Sequence, residues 1–94
     1  MPNTHPSLTI LNEATALVRR RAARLGTEPT PAPTVTFVLD DAAALLTDPS
    51  SPAHALMAEL LHRGRRNGVR VLHRGRRQYA SVAELNAAID RGDL

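Results

Sequence analysis

Two groups of residues in this chain have types and spacings suited to chemistry: an acidic pair, Asp40–Asp41, and a run of arginines, Arg63, Arg65, Arg66, Arg70, Arg74, Arg76 and Arg77. The acidic pair follows the apolar run Val35-Thr36-Phe37-Val38-Leu39 directly. Carboxylates at the carboxyl end of a parallel strand can hold Mg²⁺ through oxygen or water contacts. The ordinary alternative is a helix cap, and Asp41 ahead of Ala42-Ala43-Ala44 fits that role better. A Mg²⁺-dependent nuclease would need three or four carboxylates, and Asp48, Glu59 and Asp90 are poorly placed to complete the set.

The arginines carry the other chemistry. Guanidinium groups grip phosphate bidentately, and seven of them in this short stretch could neutralise several backbone phosphates. No Asp or Glu lies between Glu59 and Glu84 to pair with them, so one end of the molecule is expected to be strongly positive. A solvated basic face is the competing reading. Tyr79 could stack on a base but reads more simply as a half-buried packing residue. His5, His54, His62 and His73 share no metal-ligand spacing, and no metal is assigned to them. Ser50 and Ser51 sit beside prolines without a base to activate them, so turn and capping roles are expected.

Positioning these groups requires a small set of elements. Leu11, Ala14, Val18 and Leu25 recur at helical spacing and predict an amphipathic helix over residues 8–25, started by Ser7 or Thr9 and stopped at Gly26. Residues 27–34 alternate prolines and read as a stiff connector. The apolar run 35–39 reads as a strand covered on both faces. A short helix over 42–46, a turn at Asp48–Pro52 and a longer helix carrying Ala53, Leu56, Met57, Leu60 and Leu61 follow, with Ser51 as cap and Pro52 at the first helical position. Val69–Leu72 is a second strand, joined to the first through a right-handed parallel crossover. Gln78-Tyr79-Ala80 is an extended piece or the return arm of a hairpin. Ser81-x-x-Glu84 is a capping box opening a last helix with Val82, Leu85, Ala88 and Ile89 inward, ending at Gly92. The fold class expected is α/β: one small domain, a two- or three-stranded parallel sheet and three or four helices.

Composition bounds what such a domain can be. The chain has 94 residues and is 43% hydrophobic, but Phe37 and Tyr79 are its only aromatic residues, so the core must be aliphatic and thin. Marginal stability follows unless a partner or a second copy covers part of it. With no cysteine, disulfides, thiolate catalysis and cysteine-ligated zinc are excluded. All 12 basic residues are Arg, giving a formal charge of +3. Residues 1–7 lack a basic stretch leading into an apolar run, and nothing approaches the roughly 18 apolar residues of a membrane span. A cytoplasmic, bacterial setting is the expectation.

The string Thr34-Val-Thr-Phe-Val-Leu-Asp-Asp-Ala-Ala-Ala-Leu-Leu46, followed by a helix running into Leu60-Leu-His-Arg-Gly-Arg-Arg-Asn-Gly-Val-Arg-Val-Leu72, resembles the Walker B strand and the next strand of FtsK/TraB-type DNA translocases. The resemblance spans about residues 10–72 and takes in the Arg19-Arg20-Arg21 helix, similar to the basic helix before Walker B. It implies that Asp40 is a remnant of the Mg²⁺-associated acid and that Asp41 stands where the family has the Glu that orients water. Gly64-Arg65 and Gly68 match the turn before the next strand. Two departures matter. The chain has no Lys and no G-x-x-x-x-G-K-[ST] loop, so nothing cradles the β- and γ-phosphates. Beyond Leu72 the family's polar sensor segment is replaced by His73-Arg74-Gly75-Arg76-Arg77.

These readings point to a non-enzymatic relative of half a motor domain, with no cofactor, that binds DNA or a motor protein through its arginines. The alternatives are an independent basic nucleic-acid-binding module and a structural protein that oligomerises or covers a partner's sheet edge.

Overall fold

A computed structural model describes residues 6–24, 33–74 and 76–94, and the elements follow from local sequence. Helix α1 spans Pro6–Arg24 and buries Ser7, Leu11, Ala14, Thr15 and Val18. It starts two residues before the predicted position because Pro6 supplies a helix-compatible φ at an N-terminal position whose N–H is not needed. The predicted stop at Gly26, and residues 27–32 of the predicted connector, lie outside the described residues.

Strand β1 is Val35–Leu39, helix α2 Ala43–Thr47 and helix α3 Ala53–Arg63. Pro52, not Ser51 as expected, takes the N-cap position of α3, which has no side-chain capping bond; the Ser51 hydroxyl accepts the Ala53 N–H at 3.1 Å from one residue further out. A 3-10 turn at Arg65–Asn67 follows α3 and is closed by Gly68 at φ 68°, a left-handed position that glycine enters without a Cβ clash. Strand β2 is Val69–His73 and helix α4 Val82–Asp90. The capping box forms: the Ser81 hydroxyl accepts the Glu84 N–H at 3.2 Å, and the Glu84 carboxylate accepts the Ala80 N–H at 3.2 Å. Gly92 takes a φ of 66° just beyond the helix.

The sheet has two strands in parallel register, Val35 opposite Val69 through Leu39 opposite His73, with α3 in the crossover. This is the mixed α/β architecture and parallel pairing the sequence implied. The 76–80 arm makes no strand, only an antiparallel bridge of His73 with Arg77.

One expectation fails. The apolar run of β1 predicted a strand covered on both faces, yet Val35, Phe37 and Leu39 face the helices while Thr36 and Val38 face outward, Val38 remaining 48% exposed. Both α1 and α3 pack on the same side of the sheet, α1 over β1 and α3 over β2. The core between them is aliphatic: Leu11, Val18, Leu39, Leu46, Met57, Leu60, Val69, Val71 and Leu85, with Tyr79 at its edge. Among the described residues, no helix is long and apolar enough to cross a membrane.

Candidate functional site

The arginine run divides in two because β2 lies in its middle. A five-residue strand is about 16 Å long, so Arg63, Arg65 and Arg66 end up before its start and Arg74, Arg76 and Arg77 after its end. The single strongly positive end expected from the sequence does not form. Arg70 projects from the exposed face of β2 and donates to Gln78 Oε1 at 3.0 Å.

At the carboxyl end of the sheet the arginines are tied inward. Arg74 donates to the Leu94 carbonyl at 2.9 Å, and its backbone N–H continues the ladder to the Leu39 carbonyl at 2.9 Å while its φ is 57°. Arg77 donates to both the carbonyl and the carboxylate of Asp93, the latter at 2.9 Å, and lies 5.6 Å from the centre of the Tyr79 ring. The acid missing from the local sequence is thus supplied from the end of α4, and Arg77 holds the Asp93 carboxyl below the usual carboxylate range. Arg76 is exposed and makes no side-chain bond among the described residues.

Beneath these arginines lies a group the sequence did not single out. His73 is fully buried at the last position of β2. Its Nε2 accepts the Ala42 N–H at 3.0 Å, and its Nδ1 lies 3.2 Å from the Tyr79 hydroxyl. A backbone N–H can only donate, so Nε2 carries no proton, and Nδ1 donates to the tyrosine oxygen. Burial pushes the His73 pKa down, Asp41 opposes that shift, and Arg74 and Arg77 reinforce it. Tyr79 is buried rather than half-buried, and burial pushes its pKa up. A ring so enclosed cannot stack on a base. The alternation Val69, Val71, His73 along β2 was the signal that the histidine points inward.

Asp40 and Asp41 sit at this same end, both exposed. Ala42, not Asp41 as expected, takes the N-cap position of α2, which has no side-chain capping bond; Asp41 Oδ1 accepts the Ala43 N–H at 3.2 Å from the position before it, an Asx turn into the helix. Among the described residues no three His, Asp or Glu side chains come together as a metal site. Asp48, Glu59 and Asp90 do not join the acidic pair. Asp48 accepts the Ser50 hydroxyl at 2.7 Å, which lowers its pKa, and Glu59 faces α1.

The amino end of the sheet is built differently. Glu59 takes a two-pronged bond from Arg19, with contacts of 3.0 and 2.9 Å, and lies 3.6 Å from Arg63 one turn on, so α1 and α3 are cross-linked and its pKa falls. Arg21 donates at 3.1 Å to the carbonyls of both Asn67 and Gly68, bringing the last turn of α1 against the 3-10 turn. Asn67 Nδ2 donates to the Arg63 carbonyl at 2.8 Å, and its buried Oδ1 has no partner among the described residues. On the outside of this turn Arg65 and Arg66 are exposed and without side-chain partners among the described residues. A cleft of about 320 Å³ opens beside them, between β2 and the 78–80 arm, with Leu60, Leu61, Val69 and Val71 in its walls and Arg65 and Arg70 at its rim. Free guanidinium groups are therefore concentrated at this end, although the carboxyl-terminal dipole of α3 offsets part of their field.

Compared with known proteins, the chain matches no family model, no curated protein and no solved structure.

Proposed function

We propose that this chain binds the phosphate backbone of duplex DNA, without catalysis, through the amino end of its sheet, where Arg65 and Arg66 lead and Arg63 assists. The observation that carries this reading is the difference in partners. Arg74 and Arg77 already satisfy carbonyl and carboxylate groups of the chain's own end, whereas Arg65 and Arg66 have no such engagement among the described residues. Unengaged guanidinium groups on a short turn keep all their donors for phosphate oxygens. Backbone contacts of this kind position a protein on DNA without reading its sequence.

A distant relation to the Walker B half of FtsK/TraB-type motors remains part of the proposal. Parallel pairing of residues 35–39 with 69–73 supports it over a hairpin module. The bond that Asp41 accepts from the Ala43 N–H, which engages its carboxylate locally, favours contact over a working nucleotide site.

The test is binding of a labelled random duplex across a salt series, with two variants beside the wild type. Each phosphate contact contributes about −0.9 to the slope of log K against log salt. Arg63→Ser/Arg65→Ser/Arg66→Ser should flatten the slope by about 2 and weaken binding, whereas Arg74→Ser/Arg76→Ser should change it by less than about 1. Absence of binding at low salt, or equal losses in the two variants, overturns the reading and directs attention to a protein partner such as a motor.

A further inference from the structure

Asn67 closes the 3-10 turn that carries Arg65 and Arg66, and its carboxamide is only half engaged. The residue is 7% exposed; Nδ2 donates to the Arg63 carbonyl at 2.8 Å, and Oδ1 has no partner among the described residues. A buried acceptor left unpaired costs about 1–3 kcal/mol, so this side chain has less to lose than most when the turn opens. The residue after it is a glycine. Of the four asparagines, Asn3, Asn12, Asn67 and Asn86, only Asn67 is followed by a residue without a Cβ, so only there is the next backbone nitrogen left unshielded.

We propose that Asn67–Gly68 is a deamidation site, latched by the closed turn and released when the turn opens. The Gly68 nitrogen gives its proton to hydroxide and attacks Asn67 Cγ. A bond from Gly68 N to Cγ forms, the Cγ–Nδ2 bond breaks, and Nδ2 takes a proton from water and leaves as ammonia. Water then adds to one of the two carbonyls of the five-membered imide and opens it. The sum is amide plus water giving acid plus ammonia, with no change of oxidation state. Opening on one side leaves an ordinary aspartate, and on the other an isoaspartyl link with an extra methylene in the backbone.

The folded chain holds this reaction back. The Gly68 N–H donates to the Arg65 carbonyl at 3.2 Å, the leaving Nδ2 is bonded to Arg63, and Arg21 of α1 ties down the carbonyls of both Asn67 and Gly68 at 3.1 Å. Burial keeps hydroxide and water from the carboxamide. The product reverses the character of this end. A carboxylate cannot donate to the Arg63 carbonyl as Nδ2 does, and a charge buried without a partner is unfavourable, so it turns outward to Arg65 and Arg66 on the same turn. That supplies the internal acceptor these two arginines lack, and phosphate must then compete with it. This consequence rests on the DNA-binding reading; the modification itself does not.

Incubation of the whole chain at mildly alkaline pH, then cleavage after Arg66 and Arg70 and mass analysis of the 67–70 peptide, tests the site. Conversion should be at least about tenfold slower in the folded protein than in urea, because it draws only on the open fraction, and Gly64→Ala should speed it without denaturant. A peptide that keeps its amide in urea overturns the proposal, and so do equal rates with and without urea. For the consequence, Asn67→Asp is compared with Asn67→Ser, which loses the same Nδ2 bond and gains no charge, both shown folded by circular dichroism. On random duplex DNA the slope of log K against log salt should be shallower for Asn67→Asp by about 1. Equal slopes overturn the link to the arginines. If the wild type binds no DNA at low salt, the DNA-binding reading falls, and slow conversion when folded with fast conversion in urea still upholds the modification site.

Discussion

At the start of β2, Arg65 and Arg66 stand on a 3-10 turn with no partner among the described residues, while at its end Arg74 and Arg77 are bonded to Leu94 and Asp93 over a buried His73–Tyr79 pair. The two groups belong to one run of sequence and carry the same charge. What separates them is the reach of other elements. Helix α4 returns the chain end to the carboxyl side of the sheet, and the acid of the amino side, Glu59, is already shared between Arg19 and Arg63. Arginine density alone therefore does not mark a binding surface; the supply of internal acceptors decides which arginines remain for a ligand.

The comparison can be broken at either end, and the largest effect is expected in the backbone beneath the free arginines. A Cβ on Gly64 would overlap the Leu60 carbonyl and lie 2.7 Å from the Val69 oxygen, both immovable backbone atoms. Gly64→Ala should cost about 3 kcal/mol in denaturant unfolding and disorder the turn that presents Arg65 and Arg66. At the other end, His73→Leu leaves the Ala42 N–H and the Tyr79 hydroxyl unpaired in the core and should cost about 2 kcal/mol.

The same histidine gives the carboxyl end a pH dependence between pH 5 and 7, above the carboxylate range in which Glu59 at the amino end titrates. Its folded pKa is lowered, so below about 6.5 the unfolded chain binds a proton that the folded chain does not. Stability should be level above that pH and fall by up to about 1.4 kcal/mol per unit as pH drops toward the folded pKa. Urea midpoints between pH 5 and 7 measure this, and the decline over that range should vanish in His73→Leu.

Smaller effects sharpen the contrast. Arg77→Ser breaks an exposed pair with Asp93 and should cost less than about 1 kcal/mol. Arg65→Ser/Arg66→Ser should leave stability within about 0.5 kcal/mol of wild type, with its consequence confined to the salt dependence of DNA binding.

Much of the fold was legible because its signals are local. The run Val35–Leu39 ended by two acids marked β1 to the residue, and Ser81-x-x-Glu84 fixed the start of α4 through a bond that is present. The sheet's open face was not legible, because an apolar pentapeptide reads the same whether one layer of helices or two covers it, and only Thr36 broke the run. The division of the arginines was hidden for a related reason. Spacing along the chain does not show that a strand will carry Arg66 and Arg74 to opposite ends, nor that Asp93 will return to meet Arg77. The engagement of Asp41 with the start of α2 was legible because its bond to the Ala43 N–H spans two residues, but the helix begins one residue later than expected, so Ala42 and not Asp41 takes the N-cap position. His73 was missed because its partners, Ala42 and Tyr79, are brought to it by the crossover and the returning arm.

The parallel register has a further consequence, for the order in which the molecule assembles. Val35 and Val69 pair across 34 positions of chain, so the sheet cannot start as a hairpin and zip from a turn. Its first rung must wait until α3 has formed and docked, because only then are the two strands held side by side at tolerable entropic cost. The rate of refolding should therefore follow the integrity of α3 rather than the strands' own β propensity. A ribosome-bound chain that has not yet emitted residue 73 should hold helices but no sheet.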